Sequence, residues 1–179
     1  ADITGLIGQY AHGNEPSHHM AYLYSYIGEP YKTQKIVRQI MDELYHEGPA
    51  GLCGNEDCGQ MSAWYVFSSM GFYPVTPGID YYVLGSPLFN KVTIHLPNGE
   101  DFVLEAEGTS SQNKYITAAE LNGEEHTKSY ILHEDILKGG KLTFEMETRP
   151  NRNWGFSPED RPVSVIDEHL ITPVPFIRA

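Results

Sequence analysis

Cysteine is scarce in this sequence: Cys53 and Cys58 are the only two in 179 residues. Two cannot build the multi-bridge framework of a small secreted scaffold. A bridge between them would rigidify the loop they flank. Two free, partly buried thiols are the equal alternative, so they fix no redox compartment. Basic runs are lacking as well. A net charge of -12 without clustered Lys or Arg argues against nucleic acid, because a phosphate backbone requires such clusters. The acidic excess suits a solvated surface, with room for a hard cation. No stretch approaches the ~20 apolar residues of a membrane span. No signal-peptide pattern opens the chain. It begins Ala1-Asp2-Ile3-Thr4 without an initiator Met, and the expectation is an internal or processed piece of a longer polypeptide.

Apolar residues make up 40% and aromatic residues 12%, with twelve Tyr and two Trp, enough to bury a core. Tyr and Trp serve cores, interfaces and sugar-stacking surfaces alike. The length fits one domain, or one with a small companion.

The first third reads helical. Met20, Leu23, Tyr24 and Ile27 recur at one-face helical spacing. Gly28 and Pro30 close that helix and open another. Ile36, Val37, Ile40, Met41, Leu44 and Tyr45 form its apolar stripe, with Lys35, Arg38, Gln39, Asp42 and Glu43 assigned to the opposite face. A third helix near Met61–Met70 is apolar on nearly every side around Trp64, which predicts burial all round. After Pro74 six short strands are predicted: 81–84, 91–96, 102–106, 115–121, 129–132 and 141–146. Asn98-Gly99 and Asn122-Gly123 are hairpin-turn signals. These strands suggest an antiparallel sandwich or sheet. The fold class is therefore α+β, with a boundary near residue 75 between helices (1–75) and a β-rich part (76–179). The proline-bearing tail from Arg149, which includes Pro173 and Pro175, is expected to wrap the surface.

Two polar loops precede helix starts: His12-Gly13-Asn14-Glu15-Pro16-Ser17-His18-His19 and Gly54-Asn55-Glu56-Asp57-Cys58-Gly59-Gln60. Glu15, Glu56 and Asp57, with the amides of Asn14 and Asn55, are oxygen donors of the kind calcium takes six to eight of. Zinc prefers His and Cys in tetrahedral array. His18 and His19 are adjacent, so they diverge on a helix and do not share one ion easily. The plainer reading is that Asn55 and Asp57 cap the third helix and Glu15 the first. On the residues alone both readings stay open.

The segments Gly13-Asn14-Glu15-Pro16-Ser17-His18-His19 and Gly51–Tyr65, with Tyr31-Lys32-Thr33-Gln34-Lys35, Gly71-Phe72-Tyr73-Pro74-Val75 and Gly85-Ser86-Pro87-Leu88-Phe89, resemble glycoside hydrolase family 92. The likeness continues to Trp154-Gly155. It implies the last helices of an (α/α)6 toroid followed by an antiparallel, sandwich-like β domain. It implies a calcium-dependent, inverting exo-α-mannosidase, often α-1,2-specific and secreted or periplasmic, acting on mannose-containing glycans. Asp57 matches the family's general base, and Asn55 falls where some members carry a second Asp. Asn14, Glu15 and Asp57 match the metal region. His12, Glu15, His18 and Glu56 are expected at the substrate, with the histidines either contacting sugar hydroxyls or only orienting the carboxylates, while His19 reads as structural. The family's general acid is a Glu upstream of the segment seen here. The implied partner is therefore the rest of the same enzyme, its upstream helices and N-terminal β domain. The rival readings are a related toroid glycosidase or phosphorylase, which needs an anion site that these acidic loops disfavour, and a carbohydrate-binding or structural β domain with a helical docking arm.

Overall fold

In the computed structural model residues 4–164 are described. The chain opens with a hairpin of β1 (Leu6–Ile7) and β2 (Tyr10–Ala11). Two 3-10 turns follow, Glu15–Ser17 and Met20–Tyr22, and then α1 (Leu23–Tyr26). The helix expected over 20–27 is thus a 3-10 turn and a single α-turn. Its apolar stripe faces outward: Met20, Leu23, Tyr24 and Ile27 are each 39% to 59% exposed, while Ala21, Tyr22 and Ser25 are buried. Spacing says which residues share a face; here Tyr22 decides which face turns inward. Its ring stacks on Tyr73 at 5.1 Å and its hydroxyl is 2.8 Å from Ser68 Oγ.

Helix α2 (Pro30–Leu44) starts on a proline, whose missing N–H leaves nothing unsatisfied there. Thr33, Gln34, Val37, Arg38 and Met41, paired by three- and four-residue spacings, are buried on one face. Arg38 belongs to this inner face, not the outer one assigned to it. Its guanidinium feeds the carbonyls of Pro87 and Ser110 and the Thr109 hydroxyl, so it ties α2 to two β-side loops. Burial lowers its pKa, and the nearby Asp42 charge offsets only part of that. Helix α3 (Gln60–Met70) ends on Gly71 in the left-handed region, φ 107°, whose N–H caps the Phe67 and Ser68 carbonyls. It is buried on the side of Met61, Trp64, Ser68 and Ser69 but open at Ala63 and Val66, so burial all round does not hold among the described residues.

Two sheets complete the fold. One orders β3 (Phe72–Tyr73), β4 (Tyr81–Leu84) and β9 (Tyr130–Leu132), all antiparallel. The other orders β5 (Lys91–His95), β6 (Asp101–Glu105), β10 (Gly140–Glu147), β7 (Tyr115–Leu121) and β8 (Glu124–Glu125). β10 runs antiparallel to β7 but parallel to β6, so the second sheet is mixed rather than antiparallel. The chain leaves β8 for β9 in the other sheet. Helix α4 (His133–Leu137) and the Gly139-Gly140 turn then return it into the gap between β6 and β7. Strand alternation layers the molecule. Tyr81, Val83, Tyr73 and Tyr130 face the helices with Val37, Ile40 and Trp64. Phe72, Leu84 and Ile131 face Phe102, Leu142 and Phe144 of the larger sheet. The small sheet is therefore the middle layer.

The described part of the tail, 149–164, is irregular apart from a 3-10 turn at Pro158–Asp160. It does more than wrap the surface. Trp154 is buried in the sheet core with Nε1 3.1 Å from the His126 carbonyl, and the Val163 carbonyl accepts from Tyr81 at 2.6 Å. Pro173 and Pro175 lie outside the described residues. No helix among those described is long and apolar enough to cross a membrane.

Candidate active site

Two glycines let the polar loops meet. A Cβ on Gly54 would lie 2.7 Å from the Cα and carbonyl oxygen of Gly13, so the two backbones touch where a side chain would stand. Hydrogen bonds from His12 N to Gly5 O (3.0 Å) and from Gly13 N to Thr4 O (3.1 Å) hold the first loop to the hairpin. The second loop turns sharply into α3. Asp57, Cys58 and Gly59 lie at φ 45°, 58° and 88°, three successive left-handed residues of which two carry side chains. Such residues cost about 1–2 kcal/mol each in L-form, and strain of this kind gathers at functional sites.

Glu56, not Asn55 or Asp57, serves the helix start. Its Oε1 accepts from Ser62 N at 3.1 Å and its Oε2 from Ser62 Oγ at 3.0 Å. Capping therefore accounts for Glu56 and leaves Asp57 exposed without that duty. The Asp57 carboxyl contacts that of Glu15. Proton sharing with this neighbour first, then desolvation and like-charge repulsion, raises the Asp57 pKa. Glu15 Oε1 is buried with no hydrogen-bond partner. Asn14 and Asn55, close in sequence to the pair, are exposed, and neither Asn14 nor His19 caps the turn it precedes.

His12 and His18 lie beneath, both buried. Tyr45 donates to the Met61 carbonyl at 3.0 Å, so its oxygen accepts from His12 Nε2 at 2.6 Å. Tyr10 then donates to His12 Nδ1 at 2.7 Å. His12 is a neutral Nε2–H tautomer, and desolvation, with the proximity of His18, pushes its pKa down to about 3. His18 Nε2 donates to the His12 carbonyl at 3.0 Å, and Gln60 Nε2 donates to His18 Nδ1 at 3.2 Å. Burial lowers its pKa too. Every ring nitrogen is engaged inside the protein, so the expected sugar contact by His12 and His18 would require both to leave these partners. Trp64 seals the cluster, its ring 4.4 Å from that of His12, edge-on. Tyr10, Tyr45, Gln60 and Trp64 complete this array. Reading for apolar stripes assigned Tyr45 and Trp64 to the core only, and nothing in the spacing marked their polar ends. Cys53 and Cys58 are both free.

The site's donors are oxygens, which suits a hard cation. Two facing carboxylates, one with an orphaned buried oxygen, fit calcium at Glu15 and Asp57 with Asn14 alongside. No cluster of three or more His, Cys, Asp or Glu residues suited to a metal exists among the described residues, so the remaining ligands would be water, substrate or groups elsewhere. A cavity of ≈540 Å³ is lined by Tyr45 with Leu52, Ser62, Tyr65 and Val66. It does not include Glu15 or Asp57, and it is walled by the open face of α3.

The chain as a whole is similar to known proteins. A fold match spans 92% of the chain and 22% of the GH92 α-mannosidase BT3965 of Bacteroides thetaiotaomicron in complex with mannoimidazole, at 46% identity and TM-score 0.88. A second spans 88% of the chain and 21% of the GH92 inverting mannosidase BT2199 of the same organism, at 54% identity and TM-score 0.83. An uncharacterized secreted glycosidase of Arthroderma benhamiae is 34% identical over 156 residues, 86% of the chain and 20% of that protein. The chain thus spans about a fifth of the length of these relatives. The profile of the glycosyl hydrolase family 92 catalytic domain matches residues 1–148, and the chain belongs to that family.

Proposed function

We propose that this chain is the base-bearing part of an inverting exo-α-mannosidase that uses calcium, with Asp57 as general base. The observation that carries the reading is the contact of Glu15 and Asp57 where the two glycine-packed loops meet. Inversion needs an acid on one face of the sugar and a base on the other, roughly 6.5–9.5 Å apart with a water between. Two carboxyls in contact are too close for that division. Glu15 and Asp57 therefore act on one side, and the acid comes from the remainder of the enzyme. Exposed Asp57 takes the proton of the attacking water. Glu15 holds the local charge, and Asn55, two residues upstream, orients the same water through its amide. Calcium held at Glu15 and Asp57 with Asn14 would supply electrostatic hold on two sugar hydroxyls. His12 and His18 support the loops from below, and Glu56 fixes the start of α3.

Residues 1–75 are the last helices of the catalytic toroid in this reading, and 76–179 its β domain. The outward stripe of Met20, Leu23, Tyr24 and Ile27 supports a neighbouring layer from the rest of the enzyme. Mannose-containing glycans, α-1,2-linked first, are the substrates to test; the reading includes a secreted or periplasmic location, and the relative described as a secreted glycosidase supports the first. The isolated 179-residue chain is expected to release no mannose. In the full-length enzyme Asp57→Asn should lower kcat by at least ~10²-fold, the scale of a lost general base, and proton NMR should show β-mannose as first product. Retained turnover in Asp57→Asn would favour the carbohydrate-binding reading; phosphate-dependent turnover would favour a phosphorylase.

A further inference from the structure

His18 joins the two loops of the site. Its Nε2 donates to the His12 carbonyl at 3.0 Å and closes the loop of residues 12–18 at its base. The two rings stack at 4.6 Å, 26° from parallel. Its Nδ1 accepts from Gln60, the first residue of α3, and its carbonyl accepts from Trp64 Nε1 at 3.1 Å, one turn further along that helix. Gln60 N is in turn bonded to the Asp57 carbonyl at 3.2 Å. One buried side chain thus ties the loop that presents Glu15 to the helix that begins beside Asp57. The contacts use both ring nitrogens and the carbonyl, so His18 has no polar atom left for a ligand.

We propose that His18 is a positioning residue: a staple, in its Nε2–H tautomer, that holds Glu15 against Asp57 without touching the sugar. The inference rests on the mannosidase reading for its activity test. Outer partners of this kind typically change metal affinity or activity by about 10- to 100-fold when removed.

In the full-length enzyme His18→Phe keeps the stacked ring and removes both ring hydrogen bonds. The expected result is a fall in kcat of about 10-fold or more, and a similar fall in calcium affinity, with KM held within about twofold. A raised KM with kcat retained would mark His18 as a sugar contact and overturn the staple, and so would unchanged kcat and calcium affinity. His18→Gln, whose amide can still donate toward the His12 carbonyl, is expected to restore part of the loss. Should His18→Phe not fold, Gln60→Met removes the bond to Nδ1 from the helix side, and a smaller loss in the same direction is expected. The 15N histidine spectrum of the unsubstituted enzyme reads the tautomer independently. A His18 proton on Nδ1 at pH 7 would overturn the staple whatever the activity. An unsubstituted enzyme that releases no mannose would overturn the mannosidase reading and leave that spectrum to decide the staple.

Discussion

Two layers of the candidate site differ in how their polar groups are satisfied. In the lower layer His12, His18, Tyr10, Tyr45 and Gln60 bond one another and the Met61 and His12 carbonyls, at 2.6 to 3.2 Å. In the upper layer a buried Glu15 oxygen has no partner, Asp57 contacts a like-charged group, and Asp57 and Cys58 hold left-handed backbones. Buried polar groups are normally paired, and an exception calls for an explanation. The contrast teaches that, within the site, unmet polar groups gather in the upper layer, on a base that leaves little freedom.

The harshest way to break that contrast, after loss of Asp57 itself, is to drive the two loops apart. Gly54→Ala places a methyl against the Gly13 backbone, where no flexible side chain can yield. Overpacking of this kind costs about 1–3 kcal/mol, and we expect denaturant midpoints to fall accordingly, with turnover falling more. A neutral residue in the upper layer sharpens the contrast instead. With calcium chelated, Glu15→Gln relieves the repulsion at Asp57 and should raise Tm by roughly 2 °C. With calcium present the order should reverse, because a ligand oxygen with full charge is gone. Equal Tm changes under both conditions would count against a cation at this pair.

The smallest effect comes from the lower layer. His12 has a folded pKa near 3, below the 6.5 of the free side chain, with desolvation the main cause. Between those values the unfolded chain binds a proton that the folded one refuses. Stability is therefore steady above about pH 6.5 and declines as pH falls toward 3, by at most ~1.4 kcal/mol per pH unit for this group. His18, shifted in the same direction, adds to the decline. Urea midpoints between pH 8 and 4 measure it, and a flat profile would mean that the rings are not held neutral.

Much of this was legible. The strands at 81–84 and 115–121 match the predicted spans residue for residue, because alternation and turn signals act locally. Helix α2 was visible in its stripe, but Arg38 was placed outside because charge normally prefers water; three oxygen acceptors from distant loops reverse that. The direction of the Met20–Ile27 stripe depends on what lies beside it, which periodicity does not contain. Two-residue strands such as β1, β2 and β3 are too short to carry a period. At the site, the oxygen-rich character of both loops was plain in composition. Their meeting through Gly13 and Gly54, and the capping role of Glu56, depend on contacts across 40 or so residues and on the left-handed turn.

Strand β4 has a neighbour on each edge and a layer on each face. A strand enclosed on four sides has no direction in which to loosen first. Local opening therefore does not separate the helices from the large sheet at this seam, since exposing either face of Val83 or Leu84 disrupts the cluster on the other side. The carboxylate loops consequently draw their rigidity from a cooperative unit much larger than the site, and a packing defect in the distant sheet reaches them as lost occupancy of the folded state rather than as a local shift.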